Sequence, residues 1–185
     1  MKELSLNILD IAQNSIKAGA ARISILLEET DETLMISITD DGCGMTAEVV
    51  RGVTDPFYTT RMTRNVGMGI PLLKLAAEQT GGSFSIESVS DQVDPVKHGT
   101  AVHALFYKNH LDFTPLGDIV STVCTLIQGA PDRDWQFCHR FGEASVELDT
   151  AQMREILGGV PLDSFEVLDW IRQSLSEEYA GFDTQ

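Results

Sequence analysis

Five short groups of residues in this chain have types and spacings that could do chemistry. Asp10, Asn14 and Lys17 stand four and three residues apart. On a helix turning about 100° per residue they fall within roughly 60° of one another, so an acid, an amide and a cation share one side. Taken alone, that row is also what a solvated amphipathic face looks like. Asp40-Asp41-Gly42-Cys43-Gly44-Met45 puts a carboxylate ahead of two closely spaced glycines. Such a turn lets backbone approach a flat ligand while the carboxylate accepts from an exocyclic amine, although an isolated turn of this kind is also common on surfaces. Val66-Gly67-Met68-Gly69-Ile70 precedes a helical pattern, where uncommitted N–H groups and the positive end of the helix dipole suit a phosphate. It lacks the Gly-Lys-Ser/Thr of a P-loop and the third glycine of the dinucleotide fingerprint. Asp55-Pro56-Phe57-Tyr58-Thr59-Thr60-Arg61 supplies two hydroxyls and a cation just ahead of that anion site, which fits either a lid over phosphates or an ordinary long loop. His98-Gly99-Thr100 opens a strand and by itself says little.

The hydrophobic pattern outlines the elements that must hold these groups. A helix is predicted over residues 5–17, ending at Gly19, with Ile8, Leu9, Ile11, Ala12 and Ile16 on the side away from Asn14. Alternating β-branched runs over 22–29 and 33–40 predict a hairpin whose second strand ends at Asp40. A short helix near 46–51, an irregular stretch over 52–66 and a helix from Gly69-Ile70-Pro71 to Thr80-Gly81-Gly82 follow, then strands over 83–89 and 100–107. Composition changes near His110, which sets the expected units at 1–109 and 110–185. The second unit reads as a helix over 116–128, a hairpin of 135–141 and 144–148, and helices over 150–157 and 163–179. Along its first strand Trp135, Phe137 and Phe141 alternate, as core packing or as a partner-binding face. Val167, Leu168, Ile171 and Leu175 form a stripe expected to dock the last helix on that hairpin.

Composition bounds the function classes. In 185 residues, 43% are hydrophobic and 22% charged, enough apolar residues for a packed core. A formal charge of −15 argues against binding nucleic-acid backbones or an anionic membrane surface. A nucleotide remains compatible, since it needs only a few local donors and a metal ion. Cys43, Cys124 and Cys138 form no CxxC pair, and the four histidines (His98, His103, His110, His139) have no metal-ligand spacing, so neither a disulfide framework nor a zinc site is indicated. Cys138 and His139 are expected on opposite faces of a strand. No stretch is long and apolar enough to span a bilayer, and the opening MKELSLNILD carries an acid where a signal peptide is basic. The cytoplasm is the expected location.

The order of the five groups carries more than any one of them. A helix with Asn14, then Asp40-x-Gly42-x-Gly44, then Pro56-Phe57 with Thr59-Thr60, then Gly67-x-Gly69-Ile70, then Gly99-Thr100 before a strand resembles the N, G1, F, G2 and G3 boxes of the histidine-kinase-like ATPase superfamily of gyrase, heat-shock chaperone, histidine kinases and MutL. The resemblance covers residues 3 to about 107. It implies an α+β fold, a two-layer sandwich with a mixed, mostly antiparallel sheet and helices on one face, followed by a small α+β C-terminal segment. It further implies ATP and Mg²⁺ as cofactors. Asn14 resembles the magnesium-coordinating asparagine and Asp40 the carboxylate that reads the adenine amine, with Gly42, Gly44, Met45 and Thr100 around it. Lys17 resembles the kinase-type cation of the N-box helix, and Arg61, after Thr59 and Thr60, the F-box cation. Gly67, Met68, Gly69 and Ile70 resemble the segment that accommodates the phosphates. Asn65 stands where many histidine kinases have a further glycine, which implies a stiffer lid hinge. With the chain opening at the N-box helix there is no room for an upstream phosphoacceptor helix, so a complete sensor kinase is not expected.

Asp10 bears on what the ATP is for. It lies four residues before Asn14, where members that direct water or a serine hydroxyl at the γ-phosphate carry an acid. Water and hydroxyls profit from a base, whereas neutral imidazole is already a nucleophile. Aspartate is one methylene shorter than the usual glutamate. Three readings follow: a stand-alone protein kinase resembling the serine kinases that act as anti-sigma factors, an ATP-hydrolysing switch, and a non-catalytic ATP-dependent binding module in which Asp10 is idle. Adenine nucleotide and a protein partner or protein substrate are the expected binders, and the pattern admits a homodimer.

Overall fold

A computed structural model describes residues 3–55 and 68–182. Its elements in chain order are α1 (Leu4–Lys17), β1 (Arg22–Glu29), β2 (Thr33–Asp40), α2 (Ala47–Val53), α3 (Gly69–Gln79), β3 (Ser83–Val89), β4 (Gly99–Tyr107), α4 (Ile119–Gly129), β5 (Asp134–Phe141), β6 (Ala144–Asp149), α5 (Thr150–Leu157) and α6 (Phe165–Phe182).

The β-branched alternation of β1 and β2 puts Ile23, Ile25 and Leu27 on one face, opposite Ile38 and Ile36 of β2 in antiparallel register. Because side chains alternate with a period of two, the same register carries that face into β4 as Val102, Ala104 and Phe106 and into β5 as Trp135 and Phe137. All of these are nearly fully buried. One six-stranded sheet results, in the order β3-β4-β2-β1-β5-β6. Every neighbouring pair is antiparallel except β1 and β5. The described helices cover the buried face. Buried apolar side chains from both sides of residue 110, Leu4 and Ile8 as well as Val123, Ile171 and Leu175, join in one cluster.

Local chemistry fixes the element ends. The first two amide donors of α1, Leu4 and Ser5, go to the carbonyls of Pro115 and Leu116 at 2.9 and 2.8 Å, so the segment before α4 caps α1 in place of a side chain. Periodicity starts the fourth helix at residue 116, whereas α4 begins at Ile119. Gly117 sits at φ +78°, outside helical space, and the Asp118 carboxylate accepts from the Ser121 N–H at 2.9 Å as an N-cap. The last helix continues past Tyr179 to Phe182, whose ring meets Phe141 with centroids 5.1 Å apart. That helix packs on α4 and β6.

Trp135 is core, with its indole N–H donating to the Ala130 carbonyl at 3.0 Å. His139, buried to 1% exposure, faces away from Cys138. Its Nε2 lies 3.0 Å from Glu29 and its Nδ1 2.8 Å from the Tyr179 hydroxyl. Lys108 meets the same carboxylate at 2.6 Å, so β1, β5, α6 and the end of β4 are tied at one point. Among the described residues, no helix is long and apolar enough to cross a membrane.

Candidate functional site

Where α1 crosses the ends of β2 and β4, a cavity of about 220 Å³ opens. Of the residues singled out in the sequence, Asn14, Lys17, Asp40, Gly44, Met45, Ile70 and Thr100 line it. Ile11, Ile38, Met45, Ile70 and Val102 give it apolar walls, the surroundings a planar aromatic ligand needs, with a few polar groups to orient it. Asp40 is the last residue of β2 and faces Thr100 across the β2–β4 ladder.

The Asp40 carboxylate is fixed from two sides. Its Oδ2 accepts from the Ser15 hydroxyl at 2.5 Å, and its Oδ1 accepts from the Gly42 N–H at 2.9 Å. Ionised, each oxygen keeps a further lone pair for a donor in the cavity. Beside it, Ser88 Oγ accepts from the Met45 N–H at 2.8 Å, donates to the Gly99 carbonyl at 3.0 Å and lies 2.8 Å from the Thr100 hydroxyl. With the Ser88 proton given to Gly99, Thr100 donates to Ser88 and its own oxygen remains an acceptor.

The loop after Asp40 is clamped on both sides. The Cys43 N–H donates to the Ala18 carbonyl and the Asp91 N–H to the Cys43 carbonyl, at 2.9 and 2.8 Å, while the His98 ring Nδ1 lies 2.5 Å from the Gly42 carbonyl. Two glycines are required here. A Cβ on Gly44, at φ +65°, would lie 1.9 Å from the Val89 carbonyl oxygen, and one on Gly99, at φ +137°, would lie 2.0 Å from that of Asp40.

At the other end of the cavity α3 begins against α1. A Cβ on Gly69 would lie 2.9 Å from the Asp10 Cβ, so only glycine lets the two helices come this close. No side chain among the described residues caps the start of α3. A helix start carries the positive end of a dipole and is suited to an anion, and here the N–H groups of Gly69 and Ile70 are the ones available, since Pro71 has none and the Leu72 N–H donates to the Met68 carbonyl at 3.1 Å. The Asn14 Nδ2 is buried and has no hydrogen-bond partner among the described residues. An amide in that position can turn its oxygen to a hard cation. No cluster of three or more acidic, histidine or cysteine side chains able to hold a metal occurs among the described residues.

Asp10, Gly42, Met68 and Gly69 are not among the residues that line the cavity. Gly42 acts through its N–H on Asp40, and Gly69 through the α1–α3 contact. Thr59, Thr60, Arg61 and Gly67, with the preceding Pro56, Phe57 and Tyr58, lie outside the described residues. Ile11, expected on the side of α1 away from Asn14, lines the cavity, because the opening lies over the seam between α1 and the sheet and takes in the edge of the apolar stripe. Cys43, quoted above only as part of the glycine loop, lines it too, as do Ser15, Ala18, Ile38 and Val102, which the sequence motifs do not mark. Residues two apart on a strand share a face, so Ile38 follows from Asp40 and Val102 from Thr100. Ser15 carries no such signal.

The family described as histidine kinase-, DNA gyrase B-, and HSP90-like ATPase matches residues 2–110. The sensor protein ChvG of Agrobacterium fabrum is 28% identical over 46% of this chain and 15% of its own length. Sporulation kinase B of Bacillus subtilis is 31% identical over 44% and 19%, and the DNA mismatch repair protein MutL of Beijerinckia indica 29% identical over 51% and 15%. The match thus spans under a fifth of each of these relatives. In three dimensions the chain resembles the Aquifex aeolicus MutL ATPase domain complexed with ADP, with a TM-score of 0.53 at 13% identity, over 85% of this chain and 70% of that one, which is a likeness of fold. With more than half the chain matched and residues of the N, G1, G2 and G3 boxes lining one cavity, the protein belongs to the histidine kinase-, DNA gyrase B- and HSP90-like ATPase family, and residues 2–110 are its ATP-binding domain.

Proposed function

We propose that this protein is a regulatory protein kinase that uses Mg²⁺-ATP, with residues 1–109 carrying the nucleotide and residues 110–185 meeting a protein partner. Adenine stacks between the apolar walls and gives its amine hydrogen to Asp40. The observation that carries this reading is the pair of hydrogen bonds from Ser15 and Gly42 that aim the Asp40 carboxylate into the cavity. Phosphates lie toward the uncapped start of α3, with Lys17, Thr59, Thr60, Arg61 and the backbone of Gly67 and Gly69 as further donors. Asn14 would hold the magnesium ion, which when bound neutralises charge on the phosphate oxygens.

Asp10 takes the proton from the attacking hydroxyl as the new oxygen–phosphorus bond forms. The bond from the γ-phosphorus to its bridging oxygen breaks, and ADP leaves with that electron pair. General-base help of this kind contributes about 10²–10⁴-fold. The presence of an acid at position 10 favours a hydroxyl acceptor over an imidazole.

The test is incubation with γ-labelled ATP, with and without cell extract. Transfer of label to another protein supports the kinase. Label released only as free phosphate replaces it by an ATP-hydrolysing switch, and label retained in ATP replaces it by a non-catalytic binding module.

A further inference from the structure

The two helices after residue 149 leave an apolar groove that the other described residues do not fill. Met153, Ile156 and Leu157 of α5, Val160 of the connection, and Val167 and Trp170 of α6 line a depression of about 450 Å³. None of them lines the nucleotide cavity. The floor is anchored in the core, with Met153 and Val167 buried, whereas Ile156 is 85% exposed and Trp170 56%. Single exposed apolar residues are ordinary, but a contiguous set around a depression marks a contact surface. The groove is preformed. Gly158 ends α5 in the left-handed region at φ +59°, Gly159 follows at φ +101°, and Pro161 stiffens the turn into α6.

Charge identifies the occupant. Residues 150–182 contain Glu155, Asp163, Glu166, Asp169, Glu177 and Glu178 against Arg154 and Arg172. Both arginines are engaged within the chain. Arg154 hydrogen-bonds to Asp134 and to the carbonyls of Pro131 and Arg133, and Arg172 donates to Ser121 Oγ at 3.0 Å. Glu166 itself lines the groove. An apolar floor with Glu166 at its rim, on a segment with six acids against two engaged arginines, complements a segment that is apolar on one side and basic on the other.

We propose that the α5–α6 groove docks a basic amphipathic helix of a protein partner. Its apolar residues at helical spacing fill the floor around Trp170 and Ile156, and its lysines or arginines lie over Glu166, Asp163 and Asp169. This is the helix-in-groove mode of recognition, with the acidic rim setting partner choice. A second copy of this chain fits poorly, since it brings another −15 of charge and an acidic rim of its own. The surface stands independently of the nucleotide reading, because no residue is shared.

The test uses the full chain and a fluorescent peptide of about 18 residues, long enough to hold a helix, with leucines at helical spacing and lysines elsewhere. A twin peptide carries glutamate in place of lysine. Fluorescence anisotropy should show binding of the lysine peptide, weakened by salt, and none of the glutamate peptide. Ile156→Asp should weaken binding by about tenfold or more, even though it adds a negative charge that favours non-specific attraction. Leu111→Asp, at a loop residue 97% exposed and with the same added charge, should leave binding unchanged. Equal binding of the two peptides, or undiminished binding by Ile156→Asp, overturns the proposal. So does sedimentation of the wild type as a dimer that Ile156→Asp dissolves, which assigns the groove to a second copy. ATP titration of the same variants reports separately on the nucleotide site.

Discussion

Replacing Asp40 by asparagine nearly preserves shape while removing charge and one acceptor. In the native site Oδ1 holds the Gly42 N–H and Oδ2 the Ser15 hydroxyl. The asparagine oxygen can keep Gly42, and its NH₂ can donate to Ser15 Oγ, so the loop and α1 stay in place. The NH₂ then also faces the cavity, where the native oxygen would accept from the adenine amine, and a donor meets a donor. Losing a hydrogen bond to a charged group costs about 1.5–3 kcal/mol, roughly a ten- to hundredfold loss of affinity. Calorimetric titration with a non-hydrolysable ATP analogue should show that loss, with the melting temperature close to that of the wild type. The matching inosine nucleotide, which presents an acceptor in place of the amine, should lose far less, so the preference for adenine collapses. Equal adenine affinity in wild type and variant, both folded, refutes the reasoning. So does an equal loss for the two purines, which would mean that Asp40 supports the cavity without reading the base.

Asp10→Asn should leave ATP affinity nearly intact while slowing γ-phosphate transfer by about 10²–10⁴-fold; unchanged turnover in a single-turnover assay removes the base from position 10. Asn14→Ala should abolish the gain in ATP affinity that Mg²⁺ gives the wild type, and a wild type with no such gain contradicts the assignment. Ser15→Ala, which frees one oxygen of Asp40, should weaken adenine binding by about two- to tenfold, in line with about 0.5–1.5 kcal/mol for a hydrogen bond, with a smaller effect on the inosine nucleotide. The Glu29 clasp predicts a pH dependence. Burial pushes this carboxyl up, but hydrogen bonds from His139 and Lys108 outweigh it and hold the pKa below the ordinary 4.5. A depressed carboxylate contributes stability that is present above its unfolded value and lost as pH falls through its folded one. Thermal melts should therefore drop on acidification below 4.5, and Glu29→Gln should be less stable near neutrality with a flatter acid limb. A parallel limb in both proteins rules out this source.

Which parts were legible in the sequence follows from what local pattern can encode. β1 and β2 are legible because Ile23, Ile25 and Leu27 and their partners Ile38 and Ile36 keep every second position apolar, and Asp40 is legible as a strand-end acid because two glycines follow it. The start of α4 was misread because Leu116 fits the apolar rhythm, while the left-handed Gly117 and the Asp118 cap end it. Nothing local marks Ser15: its hydroxyl lies on the buried side of α1, and its partner is 25 positions away. His139 was read only as a non-ligand, and its bridge between Glu29 and Tyr179 joins three elements that no spacing links. Likewise, nothing in residues 134–141 announces that they pair with the first strand.

That last pairing constrains how the molecule is made. Arg22 and Asp134 are over a hundred positions apart, yet their strands run side by side. At about 5–20 residues per second, a ribosome leaves Arg22–Glu29 without its second neighbour for some 6–20 s. Contacts of such range also close slowly, and until then the hairpin presents an unpaired strand edge, a template for joining other chains. Fragments cut at residue 110 would keep that edge permanently and should aggregate unless it is shielded.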